Sequence, residues 1–162
     1  MFSGFNPVGF DSPLLVGIVL LLFFCRSSKK KVFTREAMIT GAPMFVLIVI
    51  FTLLSTFVVP LQVLHTHSIS VNYPVFCLVF VYQVYMVAIG YDGFALSIAY
   101  LMGFIVGLSS DLSALNYLTG FVVFGGAGIY DSDFWVPIYA LGLTLASILI
   151  IQSIRKIRSK AD

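Results

Sequence analysis

Apolar residues in this chain come in long unbroken runs rather than at a helical or strand period, and polar residues gather between the runs. Runs of this length are what a bilayer core requires, because each span must cross about 30 Å of hydrocarbon. They predict spans from about Pro13 to Cys25, Ile39 to Leu64, Pro74 to Tyr91, Phe94 to Leu108 and Phe134 to Ile154. Asp11-Ser12-Pro13 reads as a helix start, with a capping side chain followed by Pro in the first turn. Pro43 and Pro60 lie near the two ends of the second run, and Asp92-Gly93 reads as a tight turn. The stretch 112–130 differs from the rest: a short run from Leu118 to Phe124 is followed by Gly125-Gly126-Ala127-Gly128.

Composition agrees with the pattern. Of 162 residues 60% are hydrophobic and 10% charged, with a mean hydropathy of +1.06. A soluble domain carries roughly 25% charged residues. The fold class expected is all-α: a polytopic transmembrane helical bundle of about five spans, with a re-entrant or interfacial Gly-rich segment, forming a single membrane domain over residues 1–162. The first run has no positive residue before it and no small-residue cleavage site after it, so an uncleaved anchor is expected. Cys25 and Cys77 fall near opposite faces of the membrane and are expected to remain unpaired.

Charge placement sets the expected topology. All nine basic residues flank the first and last spans, and no Lys or Arg occurs between 36 and 154. The positive-inside rule places both clusters in the cytoplasm of a multi-pass cell-membrane protein whose N-terminus is outside. An even number of crossings must then separate the clusters. Four spans satisfy this if 112–130 does not cross, whereas a six-span alternative sends the C-terminal cluster outside. Gly-rich irregular backbone at membrane depth is tolerated only where protein or water satisfies it.

The acidic residues of the Lys- and Arg-free region are the main candidates for chemistry. Asp92, Asp111, Asp131 and Asp133 find no basic partner within it. A carboxylate at membrane depth is costly and is by default a functional candidate, as a proton carrier or cation ligand. The plainer reading puts all four in surface turns, with Asp133 capping the final helix. Ala99, Gly103, Gly107 and Asp111 recur every four residues on one helix face, a small-residue strip that lets another helix approach, and Gly142 and Ala146 on the last span offer a matching face. Gly125, Gly126 and Gly128 before Asp131 fit a break in a membrane segment, of the kind that marks transporter binding sites, or else a flexible connection. His65 and His67 lack further strong ligands beside them, so no metal site is expected. Tyr73, Tyr91, Tyr100, Tyr117, Tyr130 and Trp135 suit an interfacial aromatic belt, and the basic C-terminus suits anionic head groups.

Gly107, Asp111 and Leu112, then Gly125, Gly126, Ala127, Gly128 and Asp131, followed by an apolar final helix, cover about the last third of the chain. This pattern resembles an uncharacterised family of prokaryotic, largely archaeal, multi-pass membrane proteins of unknown function. In that family a Gly-rich helix ends in Asp-Leu and a Gly-Gly-Ala-Gly-x-x-Asp motif follows. Gly41-Ala42-Pro43 faintly echoes an earlier Gly-Gly-Ala element. The resemblance implies no activity, but it marks Asp111 and Asp131 as the pair of interest. Tyr91-Asp92 and Gly126-Ala127-Gly128 are similar in part to intramembrane aspartyl proteases, although Asp does not follow Gly128 directly and the Pro-Ala-Leu element is missing.

Three functions follow as expectations: translocation of a proton, cation or small solute past Asp111 and Asp131; a non-catalytic subunit or scaffold of a larger membrane complex; and an aspartyl-protease-like enzyme. The chain lacks a His-rich cluster and an activated Ser or Cys arrangement, which weighs against an enzyme. No cofactor and no nucleic-acid partner are expected. The expected partners are the lipid bilayer, other membrane subunits or further copies of the chain.

Overall fold

The computed structural model describes residues 2–27, 32–58, 63–66, 69–117, 122–124 and 132–160. Its body is a bundle of five helices: α1 (Ser12–Ser27), α2 (Arg35–Val58), α3 (Tyr73–Ala88), α4 (Asp92–Tyr117) and α5 (Ser132–Arg158). A π-helical turn, Pro7–Asp11, leads into α1. Two short strand pairs lie outside the helices. β1 (Phe2–Phe5) runs parallel to β4 (Val122–Phe124), and β2 (Val63–Thr66) pairs antiparallel with β3 (Ile69–Asn72) just before α3.

Among the described residues, four helical segments are long and apolar enough to cross a membrane: Pro7–Arg26, Arg35–Thr52, Asp92–Leu112 and Asp133–Arg158. These fit an integral membrane protein. The remaining helix, α3, has 16 residues and measures about 24 Å. One face of it is sheltered, with Val75, Val79, Tyr82, Gln83, Met86 and Val87 all buried, while Tyr73, Val81 and Tyr85 face outward. The long helix α4 touches all four others and forms the centre of the bundle. By contrast, α1, α2 and α5 present large apolar side chains outward, among them Leu15, Leu22, Ile39, Leu47, Leu149 and Ile150. That inside-out distribution is what lipid solvent permits, because it imposes no cost on exposed hydrocarbon.

The described basic residues, Arg26 and Arg35 at the α1–α2 side and Arg155, Lys156, Arg158 and Lys160 after α5, come to one end of the bundle. Val32 approaches Gly93, and the Phe33 and Phe94 rings meet edge-on at 5.4 Å, so the α1–α2 connection lies beside the start of α4. Arg155 reaches the α3–α4 turn from the end of α5. The chain between α4 and α5 therefore leaves and re-enters at the opposite, non-basic end. Cys25 and Cys77 are both free and sit near different ends.

Several expected boundaries move, each for a local reason. The second span was expected to reach Leu64, but α2 ends at Val58, two residues before Pro60, and Val63–Thr66 is a strand. Asp92-Gly93 is not the turn; Ile89 and Gly90 make it, Gly90 at φ 97, and Asp92 opens α4, where a carboxylate suits the positive helix end. The fourth span was expected to stop at Leu108 and the segment 112–130 to be irregular. Instead α4 runs on to Tyr117. Its polar stretch stays helical because the Ser109 and Ser110 hydroxyls donate to the Val106 carbonyl, at 2.6 and 3.4 Å. Tyr100 is buried in the bundle rather than interfacial.

The α4–α5 contact is the most extensive in the bundle among the described residues. A Cβ placed on Gly103 would lie 2.5 Å from Pro137 Cα and 2.8 Å from Ala140 Cβ. One placed on Gly107 would lie 2.8 Å from Asp133 Cα, 2.9 Å from its backbone nitrogen, and against its Oδ1. Backbone atoms cannot give way as a flexible side chain can, so any larger residue must push the helices apart. Gly142, by contrast, faces open space. Gly103→Val and Gly107→Val are each expected to destabilise the detergent-solubilised protein by about 1–3 kcal/mol or more, while Gly142→Val stays within about 0.5 kcal/mol. Thermal unfolding followed by circular dichroism checks this, and equal tolerance at the three positions would contradict the packing.

Candidate functional site

The face of α5 turned toward α4 and α3 carries Asp133, Pro137, Ala140 and Thr144, all buried. Asp133, Thr144 and Arg155 recur every eleven residues, three turns of helix, and so share one face. On α3 the same spacing separates Asn72 from Gln83. The two helices, with α4 between their ends, thus enclose a seam with polar groups at three levels.

At the non-basic end the first level holds Asp133, fully buried against Gly107. Asn72 is also fully buried: its backbone N–H donates to Ser110 Oγ at 2.9 Å, and its Oδ1 accepts from Val75 N at 3.3 Å, capping α3. Asp111 lies one helical turn beyond Gly107 on α4 and is half-buried. Measured along α4, Gly107 lies about 22 Å from Asp92 and Asp111 about 28 Å. Asp133 is therefore placed deeper than Asp111 when Asp92 marks the opposite interface.

The second level holds Gln83 and Thr144. Both contribute to the wall of a small cleft of about 10 Å³ between α3 and α5, whose exposed surface is apolar and whose other walls are Phe76, Val79, Phe80, Ala140 and Leu143. Gln83 is 1% exposed, and neither its Nε2 nor its Oε1 meets a hydrogen-bond partner among the described residues. The Thr144 hydroxyl donates to the Ala140 carbonyl at 2.8 Å.

The third level closes the basic end. Arg155 donates to the carbonyls of Val87 at 2.6 Å and Ala88 at 3.0 Å, and lies 3.8 Å from the Asp92 carboxylate. Gln152 Nε2 donates to the other oxygen of Asp92 at 2.9 Å. A cation at the last carbonyls of α3 and an anion at the first turn of α4 each oppose a helix-end partial charge. One guanidinium thereby bridges both helix ends.

Of the residues singled out from sequence, Ala99, Gly103 and Gly107 form the α4 strip as expected from their spacing, all three buried. Gly142 and Ala146 are not its partner face. Both are exposed, and they lie five and nine residues past Pro137, roughly 140° and 180° around the helix. Asp131, Gly125, Gly126 and Gly128 lie outside the described residues, as does His67; His65 falls in β2. Among the described residues no group of three His, Cys, Asp or Glu side chains could hold a metal. Asp92 sits at the other end of α4 from Asp111 and Asp133, so it forms no proteolytic carboxylate pair with either. No family model matches the chain, and neither a curated protein nor a solved structure does.

Arg155 is 43% exposed at its side chain, so its ion pair alone is worth only about 0.2–1 kcal/mol. Its main contribution is to tie the α3–α4 turn to α5. Arg155→Ala is expected to speed amide exchange at Ile89–Tyr91 with at most a small fall in global stability; hydrogen–deuterium exchange read by mass spectrometry checks this, and unchanged exchange at the turn would contradict the clamp.

Proposed function

We propose that this chain is a small integral membrane transport protein that passes protons along the α3–α4–α5 seam. The observation that carries the reading is the recurrence of buried or bundle-facing polar groups at three levels on one face of α5, in a chain otherwise rich in hydrocarbon. Polar and ionisable groups turned into a membrane bundle commonly mark such paths. Asp133 is the proton-carrying group at the non-basic end, Gln83 and Thr144 continue the path, and Asp92 with Gln152 and Arg155 forms its mouth at the basic end. Asp92 offsets the positive charge of Arg155 there. The reading keeps the expected role of membrane carboxylates but moves its centre to Asp133, with Asp111 and Asp131 as entry groups. Under the positive-inside rule the basic end faces the cytoplasm and the N-terminus the exterior of a cell membrane. The Asp-Leu and Gly-Gly-Ala-Gly-x-x-Asp pattern supports placing the chain in the uncharacterised prokaryotic family it resembles.

A second reading has a specific observation behind it. Gly142 and Ala146 leave a small-residue groove on the outward face of α5, where another membrane helix could approach. This favours a subunit or scaffold role.

Proteoliposomes with an entrapped pH indicator separate the two. Asp133→Asn should lower proton flux on the order of 100-fold, the scale on which a positioned proton carrier acts, with dispersity and helix content unchanged. Ala146→Leu should leave flux intact. Native flux in Asp133→Asn would overturn the transport reading, and loss of co-purifying chains in Ala146→Leu would favour the scaffold.

A further inference from the structure

Past Arg155 the end of α5 stands clear of the bundle. Every residue from Gln152 to Lys160 is exposed. The backbone nevertheless keeps its helical hydrogen bonds, with the Ser159 N–H donating to the Arg155 carbonyl at 3.0 Å and the Lys160 N–H to that of Ile157 at 3.2 Å. Lys160 therefore lies about 8 Å beyond Arg155 along the axis. Ile154 and Ile157 are 59% and 70% exposed on this tip, and Lys156, Arg158 and Lys160 stand beside them. We propose that the α5 tip, Ile154–Lys160, is a docking surface for the head groups of anionic phospholipids at the basic end of the bundle.

Helix geometry arranges the tip for that layer. At 3.6 residues per turn Ile150, Ile154 and Ile157 fall within about 60° of one another, on the side turned away from Arg155. Lys156 and Lys160 flank this stripe on one edge and Arg158 on the other. An apolar stripe edged with long basic side chains suits the boundary between acyl chains and head groups. The alkyl stems of the basic residues lie along apolar surface while their cations reach the phosphates. Charge then selects the lipid. Among the described residues Lys156, Arg158 and Lys160 form no ion pair, while Arg155 is taken by Asp92 and the last carbonyls of α3. Three cations are thus left for phosphates, each favoured about fivefold beside an anionic surface. An acidic protein segment satisfies the cations but leaves Ile154 and Ile157 in water. Arg155 turns toward the bundle and is no part of this face, so the surface stands apart from the seam and from the proton-path reading.

A nitroxide on Ser159→Cys, in a background free of Cys25 and Cys77, reports on the tip through its collision rate with a neutral nickel chelate in water, read by electron paramagnetic resonance in nanodiscs. Collisions should fall about fivefold from phosphatidylcholine to an equimolar mixture with phosphatidylglycerol, and high salt should restore them by screening the charges. Lys156→Gln, Arg158→Gln and Lys160→Gln combined should abolish the lipid dependence with helix content unchanged. Ile154→Ser with Ile157→Ser should raise collisions in the mixed discs. Equal rates in the two lipids for the native tip, or a fall that survives the three glutamines, would overturn the docking surface. Protection that comes only on adding polyglutamate would also overturn it, and would give the face to an acidic protein. The readout is contact of the tip with the membrane and not flux, so failure of the transport reading and failure of this surface are separate results.

Discussion

The rest of the bundle depends on the absence of two side chains. Gly103 and Gly107 let the backbone of α5 settle onto α4 at Pro137 and Asp133, closer than any Cβ would allow. In lipid there is no hydrophobic effect to press helices together, so close van der Waals packing must supply what water supplies to soluble cores. The same approach fixes the rotation of α5. With Asp133, Pro137 and Ala140 against α4, Thr144 must turn toward α3 and the opposite face, with Gly142 and Ala146, must turn outward. Helix α3 lies against α4 and α5, with Val79, Gln83, Met86 and Val87 buried, and completes the enclosure.

That geometry brings polar groups into a place where they are expensive. Most are made harmless locally: hydroxyls bond carbonyls one turn back, Asn72 caps α3, and Arg155 gathers the last carbonyls of one helix and the first-turn carboxylate of the next. Two amides keep unmet atoms among the described residues, Asn72 at its Nδ2 and Gln83 at both Nε2 and Oε1; at Gln83 a valine or leucine would pack the site without any polar cost. An apolar bundle of this size has no structural need for a buried amide beside a cleft, and the transport reading gives it a use.

Much of the architecture was legible in the sequence. The long apolar runs located the helices, and the confinement of Lys and Arg to the two ends of the chain implied that both clusters share one end of the bundle. The α4 strip was visible in its four-residue spacing. Other features were hidden for physical reasons. Gln83 sits inside an apolar run, where periodicity gives no signal about which face it occupies. The clamp joins Asp92 to a residue 63 positions later, so the local lack of a basic partner was misleading. Gly142 and Ala146 share the spacing of a packing strip, but spacing does not give phase; Pro137 and Ala140, which do meet α4, differ by three. The extension of α4 to Tyr117 was masked by Ser109-Ser110-Asp111, which reads as a loop until its hydroxyls are seen bonding backward.

The inward phase of α5 is the claim on which the seam and the proton path both stand. It can be measured by nitroxide scanning of positions 133 to 155 in a Cys25- and Cys77-free background, with the collision rate to dissolved oxygen read by electron paramagnetic resonance in liposomes. The account predicts a helical period with minima at 133, 137, 140 and 144 and maxima at 138, 142, 145 and 149. Flat accessibility, or maxima at 133 and 144, would mean that the polar face looks into lipid and that no seam exists.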